Sequence, residues 1–244
     1  MPLRISETLK RLLFVFVGVF VFQTVVDQFF GGNLRGWFAL TPLDILNGKV
    51  WQVFTYGFLH ADVMHLVLNM MVLVFVGSDI ESVWGRRKML LFFFYCTTMA
   101  GLFYLVMQLL MYNPIYLGLP MVGASGGIYG LLLAYGILFP DREMLFMMFL
   151  PMRAKQFVWV LAGVEFLQTL YSGQGRLGAI AHLSGMGAGW LFLFLQAKGM
   201  SFKGKPRPGT PSGGGSKKRP NHLRLVKDEQ GEEEDRGGPP RTWH

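Results

Sequence analysis

The sequence has little cysteine and little charge. Charged side chains make up only 16% of its 244 residues, and from Met89 to Pro140 there is no Asp, Glu, Lys or Arg. The single cysteine, Cys96, has no partner for an internal disulfide and is interpreted as a small buried hydrophobic residue. No HExxH motif is present, which argues against a zinc protease. Because a charge-free run of this length accommodates two bilayer spans, the chain is predicted to be a membrane protein.

Hydrophobic residues make up 52% of the chain and fall into six apolar segments, each a candidate transmembrane helix. These segments are residues 12–30, 61–77, 89–111, 125–139, 156–171 and 177–197. The predicted fold class is an all-α six-helix membrane bundle over residues 1–198, followed by a disordered tail over residues 199–244. Residues 31–60 are predicted to be a partly membrane-inserted loop with Trp37 and Trp51 at the interface.

The net charge of +8 is read as a signature of membrane topology rather than of nucleic-acid binding, because the basic residues lie in short clusters between the apolar segments. Six spans place both termini on one side. That side carries thirteen Lys and Arg residues, and the other carries three, Arg35, Lys49 and Arg176. The positive-inside rule therefore predicts that both termini are cytoplasmic and that the second, fourth and sixth spans run inward.

The fourth span points to a reactive serine. Residues 126–139 make a helix of about 21 Å, shorter than the bilayer core of about 30 Å, so this helix is expected to begin below the outer surface. Ser125, in the glycine-rich segment Gly123–Gly127, lies at its start. Non-helical backbone at that depth requires a hydrated cavity, and a helix N-terminus favours an oxyanion. The structural alternative is that Ser125 only caps the helix.

The sixth span supplies a general base, His182, at a depth predicted to match that of Ser125. The pairs Gly126 with Gly130 and Gly185 with Gly189 form GxxxG strips, which let helix backbones approach closely. The two spans are therefore expected to bring histidine and serine together. The alternative is that His182 only binds a neighbouring carbonyl.

Polar residues in other spans are also candidate functional residues, and some are better supported than others. His65 and Asn69 lie four apart on one face of the second span, and both can donate a hydrogen bond to a tetrahedral oxyanion. Alternatively, they link helices by hydrogen bonds. Asp27 and Glu165 have no evident partner, so packing or interfacial roles are favoured for them.

With these residues in place, the chain resembles the rhomboid intramembrane serine proteases of the bacterial six-helix type. Gly123–Gly126 resembles their GxSG motif, His182 with the two glycines after it resembles HxxGxxxG, and His65 with Asn69 resembles HxxxN. The resemblance covers residues 12–197.

The resemblance implies that Ser125 is the nucleophile and that His182 is the general base and then the general acid, a dyad without a third carboxylate. It implies an oxyanion hole formed by the Ser125 backbone N–H, His65 and Asn69. Tyr129 matches the tyrosine that packs on the catalytic imidazole, although it is equally explained as a bundle aromatic. No metal and no cofactor is implied.

Other positions are read through the same resemblance. Gly123, Gly126 and Gly185 support the site, and Glu81 and Gly85 match structural positions after the second helix. Gln52 stands where many members carry arginine, so this chain lacks a cation that orders the outer loop in those members.

The resemblance also implies the partners and the location. Substrates are transmembrane segments of other proteins, cleaved within a bilayer, with no nucleic acid involved, and the location is a bacterial plasma membrane. The leading alternative is a catalytically silent rhomboid-like protein that binds transmembrane helices. A transporter is a weaker alternative, because no internal repeat is apparent.

Overall fold

The computed structural model describes residues 5–111, 117–146, 150–172 and 175–199. The predicted disordered tail lies, apart from its first residue, outside the described residues. The helices are α1 (Glu7–Phe29), α2 (Leu34–Phe38), α3 (Pro42–Leu46), α4 (Gln52–Thr55), a 3-10 turn (Tyr56–Phe58), α5 (Val63–Trp84), α6 (Arg86–Met111), α7 (Ser125–Leu138), α8 (Ala154–Tyr171) and α9 (Gly175–Ala197). The strands are β1 (Glu143–Phe146) and β2 (Leu150–Arg153).

Each of the six predicted spans corresponds to one long helix of the described chain. Four of these helices, α1, α5, α6 and α9, are long and apolar enough to cross a membrane. The other two are α7, which is apolar but only 14 residues long, and α8, whose 18 residues include Lys155 and Glu165. Four of the six predicted spans are therefore supported by helix length and composition, and crossing by α7 and α8 remains a prediction.

The outer surface of the helices is apolar. Phe14 and Trp159 are 82% and 78% exposed, and many other large hydrophobic side chains of the long helices are exposed with them. A water-soluble protein rarely presents so much contiguous apolar surface, whereas a lipid environment matches it. The chain is a multi-pass helical membrane protein.

Helix α7 lies at the centre of the bundle and contacts α5, α6, α8 and α9. Its Ile128, Leu131 and Ala134 are buried. A helix that is apolar around its whole circumference gains most from contacts on all sides, which explains its central position. This position brings the first turn of α7 close to residues on three neighbouring helices.

The predicted glycine strips meet in the structure, where α7 and α9 pack backbone against backbone. A Cβ atom added to Gly185 would lie 2.0 Å from the carbonyl oxygen of Gly126, and one added to Gly189 would lie 3.3 Å from Gly130 Cα. A Cβ on Gly130 would lie 2.5 Å from the Sγ atom of Cys96, which is buried as predicted. Only glycine allows this approach, and it fixes the distance between the two helices.

The loop between α1 and α5 is ordered around Gln52. This buried side chain accepts a hydrogen bond from the Thr41 backbone N–H at 3.0 Å and donates one to Asp44 Oδ2 at 3.2 Å. In place of a cation, the Gln52 amide joins α4 to Thr41 at the start of α3 and to Asp44 within it. Trp37 and Trp51 are exposed and joined by a hydrogen bond from the Trp51 indole N–H to the Trp37 carbonyl.

The end of α5 bears out the structural roles expected of Glu81 and Gly85. Glu81 accepts a hydrogen bond from the hydroxyl of Ser6, which also caps α1. Gly85 follows the last residue of α5 with a φ of +76°, a conformation that glycine adopts without strain, and its N–H binds the Glu81 carbonyl. These contacts join α1 and α5 at the end of the bundle away from Ser125.

The all-α prediction is wrong in one detail. Strands β1 and β2 form an antiparallel pair in which Glu143 lies opposite Arg153 and Phe146 opposite Leu150. This pair is hard to predict from the sequence, because the strands have four residues each and Pro151, which removes a backbone donor, lies within the second.

Candidate active site

Ser125 is the first residue of α7, and the N-cap position before it is occupied by Ala124. The Oγ atom instead lies 2.9 Å from Nε2 of His182. The interpretation of Ser125 as a helix cap is therefore wrong. The first N–H groups of a helix have no intrahelical acceptor, so the Ser125 backbone N–H is a donor available to a ligand at the start of α7.

His182 is the eighth residue of α9, deeper in its helix than predicted, because α9 begins at Gly175 rather than at Leu177. Both ring nitrogens face side chains: Nε2 faces the Ser125 hydroxyl, and Nδ1 lies 3.0 Å from Oε1 of Glu165. The alternative in which His182 only binds a nearby carbonyl is therefore wrong.

The imidazole is also held from one face. The ring of Tyr129 stacks on it with centroids 4.1 Å apart and planes 7° from parallel. Tyr129 lies four residues after Ser125, so one turn of α7 supplies both the hydroxyl and the ring that holds the histidine. The expected packing of a tyrosine on the imidazole is present.

Glu165 lies beside the imidazole, although the sequence shows no evident partner for it and favours a packing or interfacial role. The structure instead buries its side chain to 6% exposure, with Oε1 accepting hydrogen bonds from the Tyr129 hydroxyl and from His182 Nδ1. An ionisable residue within an apolar helix is the signal that the sequence offers for Glu165. Its partners lie on α7 and α9, and the spacing of residues along α8 cannot identify them.

A cavity of about 200 Å³ opens above the serine. Its lining includes Ser125, His182, His65, Gly123 and Tyr56. Since one water needs roughly 10–15 Å³ on this measure, the cavity has room for several waters or for part of a peptide chain. The predicted cavity around Ser125 is therefore present.

Gly123 shapes the wall of this cavity. Its φ is +119°, which disfavours any side chain, and a Cβ there would lie 2.8 Å from His65 Nε2. The glycine lets the segment before α7 pass directly over the His65 ring. The His65 ring lines the same cavity as Ser125.

Asn69 lies one turn after His65 in α5 and is 6% exposed. Its Nδ2 atom is buried and has no hydrogen-bond partner among the described residues. The alternative role, a hydrogen bond between helices from this amide N–H group, therefore gains no support. Buried donors are nearly always paired, so an unpaired one is a candidate for binding an acceptor that the protein chain does not supply.

His60 was not singled out as a site residue, yet it packs edge-on against His65 with ring centroids 5.1 Å apart. Burial, with a smaller contribution from His65, lowers the pKa of His60 to about 4, so its ring is neutral at pH 7. Because the His60 ring is neutral, it does not repel a positive charge on His65. In the described part of the chain, no three His, Cys, Asp or Glu side chains cluster as metal ligands would.

These features define the class of protein: a multi-pass helical membrane protein in which the start of a short central helix presents a serine, hydrogen-bonded to histidine, to a cavity. Comparison with known families narrows this class. The family model described as "Rhomboid domain" matches residues 47–199, more than half of the chain, so the chain belongs to the rhomboid family.

Sequence identity to individual members of the family is low. The chain is 29% identical over 157 residues to Rhomboid-like protein 19 of Arabidopsis thaliana, covering 61% of this chain and 49% of that protein. It is 27% identical over 178 residues to RHOMBOID-like protein 12, mitochondrial, of the same plant, covering 69% and 52%. Rhomboid-like protease 3 of Toxoplasma gondii is 34% identical over 62 residues, 25% of this chain and 24% of that protein. The chain thus spans about half the length of the two plant relatives.

Proposed function

We propose that this protein is an intramembrane serine protease that hydrolyses peptide bonds in or next to transmembrane segments of other membrane proteins. The observation that carries the proposal is the 2.9 Å contact between Ser125 Oγ and His182 Nε2 at the wall of the cavity. A serine hydroxyl becomes an effective nucleophile when an adjacent base accepts its proton, and this pair has the required geometry.

In the proposed reaction, His182 Nε2 takes the hydroxyl proton as Ser125 Oγ bonds to the carbonyl carbon of the scissile peptide. The tetrahedral intermediate collapses when the C–N bond breaks, and the imidazolium gives its proton to the leaving amine. A water from the cavity then attacks the acyl ester, with His182 again accepting a proton and returning it to Ser125 Oγ. No metal or cofactor is required.

Three donors are assigned to the developing oxyanion: the Ser125 backbone N–H, His65 and Asn69. The first belongs to a helix N-terminus, whose dipole favours negative charge. The second lines the cavity and the third is a buried, unpaired amide. Donors that are already in place before the charge forms contribute most to the rate.

Replacing Asn69 with alanine is expected to lower kcat by about 100- to 1000-fold and to change KM little, because the amide binds the oxyanion rather than the ground-state carbonyl. The measurement is steady-state cleavage of a transmembrane reporter in vesicles. The matched control is Asn47→Ala, an exposed amide next to α3, expected to cleave as the wild type does. An unchanged kcat for Asn69→Ala would remove Asn69 from the oxyanion hole.

The proposal extends to the arrangement in the membrane. We assign six crossings, with α7 and α8 completing the bundle, both termini cytoplasmic, and the cavity toward the outer face of a bacterial plasma membrane. The length of α7, about 21 Å for its 14 residues, supports a start below the surface. Substrates are transmembrane segments that unwind near the cavity, because a peptide bond within a helix is shielded from Ser125.

The decisive experiment is covalent labelling of the full chain in lipid vesicles with a fluorophosphonate, which reacts with activated serines. We expect one labelled residue, identified as Ser125 by peptide mass spectrometry, and cleavage of a transmembrane reporter by the same preparation. If the wild-type chain neither labels nor cleaves, the protease assignment fails, and a catalytically silent protein that binds transmembrane helices becomes the better description.

A further inference from the structure

We propose that Glu165 is a positioning residue that completes a Ser125–His182–Glu165 triad, holding the imidazole in the tautomer that can accept the serine proton. This inference rests on the proposed function above. It adds a third residue to the dyad that the resemblance implies, namely a side chain of α8 whose partners lie on α7 and α9.

The geometry places the carboxylate where it selects one tautomer. Glu165 Oε1 lies 3.0 Å from His182 Nδ1, on the side of the ring opposite to Nε2 and Ser125. An ionised carboxylate only accepts hydrogen bonds, so Nδ1 must carry the proton that it shares with Glu165. Nε2 is then unprotonated and can accept the proton of the serine hydroxyl.

A second donor fixes the carboxylate itself. The Tyr129 hydroxyl donates to the same Oε1 atom, while the Tyr129 ring stacks on His182. One tyrosine therefore holds both the acceptor and the ring that donates to it. The contacts among Tyr129, Glu165 and His182 restrict rotation of the imidazole about its χ2 angle. A base held in the reactive orientation raises the reaction rate more than a mobile one.

Burial argues against a role in packing alone. The Glu165 side chain is 6% exposed, and its Oε2 atom has no hydrogen-bond partner among the described residues. An ionisable group in an apolar helix costs free energy that an apolar side chain of similar size would not. The negative charge of Glu165 has a partner during the reaction. When His182 takes the serine proton, an imidazolium forms beside this carboxylate in a poorly hydrated site, where the attraction between the two charges is strong.

The polar groups that face His182 come from three other helices. They are Ser125 and Tyr129 on α7, Glu165 on α8 and His65 on α5, with His182 itself on α9. Glu165 is the acidic member of this set. The stabilisation of an imidazolium during turnover is therefore assigned to it, and no proton is transferred to it at any step.

The test is Glu165→Gln in the full chain in vesicles, which keeps the shape of the side chain and removes its charge. The amide can also turn its NH₂ group toward Nδ1, which favours the wrong tautomer. We expect kcat to fall on the order of 10³-fold, with KM unchanged within about twofold, since substrate does not touch this residue. Glu165→Asp should recover part of the lost kcat.

The matched control is Asp27→Asn, another carboxylate-to-amide change within a long helix. Asp27 accepts a hydrogen bond from the Leu34 backbone N–H, far in sequence from the site, and asparagine can do the same. Its turnover should equal that of the wild type. Thermal unfolding of each variant verifies that the fold is intact.

A measurement independent of turnover is ¹⁵N magnetic resonance of histidine-labelled protein. The His182 signals are assigned as those that disappear from the spectrum of His182→Gln. We expect Nδ1 to be protonated in the wild type and Nε2 protonation to increase in Glu165→Gln. A wild-type kcat for folded Glu165→Gln, or a wild-type His182 protonated at Nε2, would overturn the inference while leaving the protease intact. Failure of the wild type to label or cleave would instead refute the proposed function.

Discussion

Replacing Ser125 with alanine is expected to lower cleavage by roughly 10⁴- to 10⁶-fold, because Ser125 supplies the hydroxyl that contacts His182 Nε2 and forms the acyl intermediate. His182→Ala should have an effect of similar size, since the hydroxyl then has no base at 2.9 Å. The double variant should be little worse than either single variant, because the two residues act as one unit and their effects are not additive.

The measurement is initial-rate cleavage of a transmembrane reporter by each variant at matched concentration in vesicles. The control is Ser184→Ala, a serine two residues after His182 whose hydroxyl donates to the Ile180 carbonyl within α9. This variant should retain activity. Cleavage by Ser125→Ala at a tenth of the wild-type rate or more would show that another nucleophile is responsible.

Much of this site was predictable from the sequence, because membrane proteins reveal depth and packing through simple patterns. The short helix after Ser125 indicated a start below the bilayer surface, and α7 has 14 residues, as expected. The spacing of Gly126, Gly130, Gly185 and Gly189 predicted a close approach, and these glycines meet. The first inference depends on the length of one helix and the second on residue spacing within single helices, and a sequence records both directly.

Contacts between helices were harder to predict. Glu165 looked unpartnered because its hydrogen bonds go to Tyr129 on α7 and His182 on α9. Neither partner is at helical spacing from it, and only the packing of α8 against both helices creates the contact. The position of His60 against His65 was missed for the same kind of reason, since a non-helical segment brings it there.

The start of α9 shows how a small error in a boundary leaves the site intact. Helix α9 begins at Gly175, so His182 lies about 10 Å along the helix rather than the shallower depth expected. The match with Ser125 survives because the glycine strips, and not the helix ends, set the relative positions of α7 and α9. Gly185 is three residues after His182, and Gly126 directly follows Ser125.

Replacing Gly185 with alanine, which adds one methyl group, should therefore strongly reduce both stability and cleavage. The new Cβ would lie 2.0 Å from the Gly126 carbonyl oxygen and 2.7 Å from its carbonyl carbon, and these are backbone atoms that cannot rotate away. Helices α7 and α9 must separate, at a cost of about 3 kcal/mol in the free energy of unfolding, the upper end for overpacked cores. The separation also opens the distance between Ser125 Oγ and His182 Nε2, so we expect cleavage and fluorophosphonate labelling to be lost together.

Gly187→Ala is the matched control, because a Cβ at Gly187 meets no described atom within 4 Å and alanine favours a helix by up to about 1 kcal/mol. Thermal unfolding in detergent should show a large decrease in melting temperature for Gly185→Ala and no decrease for Gly187→Ala. Equal stability of the two variants would contradict the direct backbone contact between α7 and α9. Loss of labelling by Gly185→Ala without loss of stability would show that the contact sets the geometry of the serine and histidine more than it stabilises the fold.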